Sequence, residues 1–144
     1  MRWPWRAERT TAPVLVDDGS LAVLASSFDP TAGESPALAA LAATGHPPGT
    51  PVLLRHLFVL AEPPDAHEAP GAGEAALRAV VERDGYKVHR LGQRLAVTRQ
   101  TVPTILAVAQ ERARMTGLEM RLPLTYLGWQ ALASPPAGQE VTKS

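Results

Sequence analysis

The residues able to do chemistry in this chain are few and scattered. Four histidines lie in a Pro-containing linker (His46), an apolar run (His56), an Ala/Pro loop (His67) and a charged run (His89), and no pair has the spacing that brings two imidazoles onto one metal ion. No metal site is expected. The stretch "GAGEAA", Gly71 to Ala76, has the loose Gly-x-Gly-x-x-Ala pattern of a dinucleotide loop, but about ten residues separate it from the apolar run ending at Leu60, and a phosphate turn must follow its strand directly. It reads as a Gly/Ala loop, and no cofactor is expected. Ser26, Ser27 and Asp29 in "ASSFDP" have neither a nucleophile-elbow context nor an identifiable base, so they read as helix-ending or turn residues. With no cysteine, thiolate chemistry and disulfides are excluded, as fits a cytoplasmic setting. No catalytic residue is assigned, and a non-enzymatic protein is expected.

Two groups of residues remain as candidates for binding. Lys87, Arg90, Arg94 and Arg99 fall in residues 85–110, which contain no acid, while residues 61–84 carry six acids against Arg78 and Arg83. If one side of the chain displays those four cations, it would suit an acidic protein surface or a phosphate backbone. Direct RNA binding is the less favoured use, because Tyr86 is the only ring available there for stacking on bases. The second group is Tyr126 and Trp129 in "LTYLGWQAL", two rings three residues apart in a chain with 5% aromatics. They serve either as core rings with hydrogen-bonded tips or as an exposed anchor for a partner.

The chain has 144 residues, 45% hydrophobic and 19% charged with zero formal net charge, which suits one globular domain without the field of a nucleic-acid binder. No run approaches a membrane span, so no membrane association is expected. Residues 1–12 read as a disordered arm carrying Trp3 and Trp5, residues 61–73 as a Pro/Gly/Ala loop, and residues 133–144 as a disordered tail.

Between these stretches, strand-like and helix-like runs alternate. "VLLRHLFVL", Val52 to Leu60, is almost continuously apolar and reads as a central strand. In "EAALRAVVERDG" the residues Ala76, Leu77, Val80 and Val81 share a helical face, and Gly85 follows as a left-handed cap. "YKVHRL" and "RLAVTRQT" flank Gly92 and Gln93 as a hairpin. Thr101 and Pro103 then introduce a helix whose stripe is Ile105, Leu106, Val108, Ala109, Ala113 and Met115, closed by Gly117, and "LTYLGWQAL" is a last strand. Upstream, "SPALAALAATG" has Ser35 as N-cap, Pro36 at the first helical position and Leu38 and Leu41 on one face. "VLVDDGSLAVLASS" is divided between a helix starting near Asp18 and a hairpin around Gly19, with the helix preferred.

The order strand, helix, strand, strand, helix, strand predicts an α+β ferredoxin-like βαββαβ sandwich over residues 51–132, preceded by one or two helices within residues 13–50. Its first and third strands should be central and its second and fourth at the edges.

The succession of Leu38, Leu41 and Gly45, the Pro-containing linker, Gly85-Tyr86 with Val88, then Leu95, Val97 and Thr98, and finally Tyr126, Gly128 and Trp129 resembles the ribonuclease E inhibitor B family across residues 36–132. The resemblance implies a ferredoxin-like regulatory protein that binds an endoribonuclease and modulates RNA turnover. Two departures stand out: Leu127 occupies the place where the family's terminal motif has an Asp, and the chain is neutral where inhibitory members are acidic. The alternative is a ferredoxin-like module that binds a small ligand or dimerises through its sheet face.

Overall fold

The computed structural model describes residues 14–60 and 71–135. The N-terminal arm with Trp3 and Trp5, His67 and the acids Glu62, Asp65 and Glu68, and most of the tail lie outside the described residues. The protein is α+β: five strands form one open antiparallel sheet, and three helices accompany it. The elements are β1 (Ala22–Ser27), α1 (Ser35–Ala43), β2 (Val52–Leu60), α2 (Ala72–Val81) running into a 3-10 turn (Glu82–Asp84), β3 (Lys87–Leu91), β4 (Arg94–Thr101), α3 (Ile105–Glu119) and β5 (Leu124–Ala133). The sheet order is β1-β5-β2-β4-β3.

β2 is the hub, pairing with β4 on one side and β5 on the other along nearly its whole length. That position explains its unbroken apolar run, since seven of its nine residues are buried and both faces must exclude water. The helical side is built from alternate residues. Leu54 and Phe58 of β2, Leu95 and Val97 of β4 and Trp129 of β5 pack beneath Leu77 and Val81 of α2, Leu41 of α1 and the buried stripe of α3.

Several sequence expectations change here. The segment expected to start a helix near Asp18 forms β1 instead, which pairs with β5 from Ala22↔Ala133 to Ser27↔Trp129. β5, expected at an edge, is therefore an inner strand, and β1 takes the edge. The N-cap of α1 is Glu34 rather than Ser35, and no side chain caps it because the Glu34 carboxylate is used elsewhere. "GAGEAA" is not a loop: Gly71, at φ 82°, is the N-cap, and Ala72 begins α2. α3 runs through Gly117 to Glu119, and its buried residues are Val108, Glu111, Met115 and Leu118. Ile105 and Leu106, expected in the stripe, stay 58% and 67% exposed.

α3 starts at Thr104, whose side chain accepts a hydrogen bond from the Ala107 amide at 3.0 Å. Thr104→Ala leaves that amide without its cap and should lower stability by about 1 kcal/mol, to be read from the urea midpoint.

Candidate functional site

The sequence places Tyr126 and Trp129 three apart, and in a regular strand residues at odd spacing point to opposite faces. β5 escapes that rule by a bulge. Leu57 pairs with Gly128 and Phe58 with Tyr126, so Leu127 is the extra residue and both rings reach the helical side, flanking β2 at His56 and Phe58. Gly128 allows it: its φ is 139°, and a Cβ there would lie 2.2 Å from the Ser27 carbonyl oxygen.

Around those rings lies a buried polar cluster. His56, fully buried, is 2.8 Å through Nδ1 from the Tyr126 hydroxyl, and its Nε2 faces Glu111 Oε1 at 3.9 Å. At that distance the carboxylate is an electrostatic neighbour rather than a hydrogen-bond partner. Glu111 accepts from the Tyr86 hydroxyl and from Arg99, through Nε at 3.2 Å and Nη2 at 2.6 Å. The Arg99 guanidinium also lies over the Tyr86 ring, 4.3 Å from its centroid. On the other side of Trp129, its indole N–H donates to Glu34 Oε1 at 3.1 Å, and Arg112 donates to the same oxygen at 2.7 Å.

The electrostatics fix each protonation state. Burial holds His56 below its ordinary value despite the neighbouring Glu111, so the ring is neutral. Turning Nε2–H toward the carboxylate leaves Nδ1 to accept from Tyr126 O–H, the tautomer that avoids two facing acceptors. Burial would raise Glu111, but His56, Tyr86 and the Arg99 charge outweigh it and the carboxyl is held low. Tyr86 is pushed up by burial and then by its bond to Glu111, and Tyr126 is pushed up chiefly by burial. General acid–base catalysis needs a group that titrates near neutrality, and each of these is moved away from it.

The six candidate binding residues do not form one site. Register puts Arg90 and Arg99 on the helical side of the sheet, while Lys87 and Arg94 share the opposite side. Arg90 pairs with Glu74 of α2 at 2.9 Å, and Arg99 belongs to the buried cluster. Trp129 is 0% exposed and Tyr126 is largely covered, so neither ring stands out from the surface. Sequence analysis missed Glu111, Glu34 and Arg112. The signal for Glu111 was present: it lies three residues after Val108 and four before Met115, the spacing of the buried face.

A second polar group sits on the side of the sheet away from the helices. Arg55 spans it, donating to both Asp17 oxygens at 2.9 Å and to Gln130 Oε1 at 2.6 and 2.9 Å, while His89 Nε2 lies 2.9 Å from Asp17. Among the described residues no group of three His, Asp or Glu side chains is placed to hold a metal ion, and no helix is long and apolar enough to cross a membrane. Compared with protein-family models, curated proteins and solved structures, the chain matches none.

Proposed function

We infer that this chain is a non-catalytic regulatory protein of the ribonuclease E inhibitor B type, acting in the cytoplasm by protein contact on an endoribonuclease and so on RNA turnover. The observation that carries this is the state of its polar residues: His56, Glu111 and Tyr86 are buried and Tyr126 largely covered, His56 bonds to Tyr126 and Glu111 to Tyr86, and each is held away from neutral titration. The order β5-β2-β4-β3, with α2 and α3 as crossovers, agrees with a ferredoxin-like assignment within the larger sheet and with the fold the resemblance implies. The start of α3 supports this reading as the surface for such contact. Val102, Ile105 and Leu106 are exposed together beside an apolar hollow of about 280 Å³, whose walls include Leu38, Leu41 and Pro48. The basic residues Lys87 and Arg94 offer a separate contact.

The test is capture of ribonuclease E from native extract by the purified chain, run beside a ribonuclease E cleavage assay. Saturable capture with slowed cleavage is the expected result. Capture without an effect on cleavage, or no capture, removes the inhibitor function. Direct RNA binding, the disfavoured use, predicts a strong fall in RNA affinity on replacing Lys87, Arg90, Arg94 and Arg99 together, and unchanged affinity removes it.

One observation favours the second reading, a small-ligand-binding module. A cavity of about 420 Å³ opens on the sheet face away from the helices. Dimerisation through that face has less support, because Leu53, Leu57 and Ala96 are already buried within one chain.

A further inference from the structure

The 420 Å³ cavity is built by the segment just before β1. Val14 to Asp17 run along the sheet as one wall, the start of β3 from Gly85 to His89 forms the other, and Leu53, Thr98 and Gln100 lie between them. The first wall is anchored by polar bonds rather than by apolar packing. The Leu15 amide donates to Gln100 Oε1 at 2.8 Å, and Asp17 is clamped by Arg55. Val14 and Val16 remain exposed, placing apolar surface beside the opening.

The charges around the cavity do not cancel. Asp17 is paired with Arg55 and also lies 2.9 Å from His89 Nε2, and the Arg99 guanidinium, on the helical side of the sheet, is paired with Glu111. Lys87 sits opposite Thr98 on the cavity side of the sheet and has no acidic partner among the described residues. One uncompensated ammonium beside an apolar hollow selects a small anion with an apolar body. A dianion such as a phosphate ester would set two negative charges against one lysine, and an amine would be repelled.

We propose that the cavity binds a small monocarboxylate, its apolar body lying along Val14 and Val16 and its carboxylate meeting Lys87. This rests on the ligand-binding reading and is independent of any ribonuclease partner. The experiment titrates the 15N-labelled full chain with hexanoate and benzoate, and in parallel with hexylamine and phenyl phosphate. The carboxylates should give saturable amide shifts at residues 15–17, 87–89 and 98–100. Lys87→Met should weaken them about tenfold, the loss of one charge-assisted hydrogen bond, and its exposed position leaves the other resonances in place. Carboxylate affinity unchanged in Lys87→Met, or shifts confined to other residues, overturns the assignment. Saturation at these residues by hexylamine in place of the carboxylates keeps a ligand site but overturns the anion. No shift with any probe overturns both.

Discussion

Gly128→Ala should cost roughly 3–5 kcal/mol, the sum of a strained backbone and an overpacked contact, enough to bring a domain of ordinary stability close to unfolding. The added Cβ would be 2.2 Å from the Ser27 carbonyl oxygen and 2.9 Å from Phe28 Cα, both backbone atoms that no rotamer change can move. Its φ of 139° adds strain for any residue with a side chain. Relief requires β1 to leave β5 or the bulge to close, and closing the bulge would turn Tyr126 or Trp129 out of the core. Urea unfolding followed by far-UV circular dichroism measures the cost, with Leu127→Ala at the partly buried bulge residue as the control. A loss below about 1 kcal/mol would show that the strands separate without penalty and that the close approach is not essential.

The second large effect is on acid stability. His56 is held below its ordinary value of 6.5 in the folded protein, so the unfolded chain takes up a proton first as pH falls. The stability linked to its neutral form is therefore complete above pH 6.5 and lost below it, at up to about 1.4 kcal/mol per pH unit until the folded ring also protonates. Glu111 has the same sign in a lower window: held below 4.5, its contribution is complete above that pH and lost as pH falls further. Comparison with a variant isolates the contribution of the buried ring. Wild type should exceed His56→Gln in stability at pH 7.5, and the gap should narrow steadily toward pH 5. A constant gap over that range would mean that His56 has the same affinity for protons folded and unfolded.

Legibility in the sequence followed the range of the forces involved. β2 was readable because burial on both faces leaves an unbroken apolar run, and the β3–β4 hairpin because Gly92 and Gln93 announce a local turn. α2 was readable from Leu77 and Val81, with its start displaced because a left-handed Gly71 looked like part of a loop. β1 was not, since the strand that makes "AVLASS" extended lies at the far end of the described chain. The phase of α3 was misassigned for a related reason. Ile105 and Leu106 are apolar but exposed, and Glu111 is charged but buried, because Arg99 and Tyr86 arrive from other elements to satisfy it. Tyr126 and Trp129 stood out in the sequence as a pair, but a bulge has no periodic signature, and without it their common face could not be inferred.

The pairing of β1 with β5 also orders events in time. During synthesis β1 emerges early, yet its hydrogen-bonding partner is the last described strand, so the sheet cannot be completed until nearly all of the described chain has left the ribosome. Closing so long a loop is costly before any contact rewards it, and a hub strand whose neighbours both come later adds further non-local pairing. The β3–β4 hairpin, with its local turn, can form early, whereas β1 has no strand to pair with until β5 is present, and a ribosome-bound chain halted before Leu124 would expose the β2 edge that β5 normally covers.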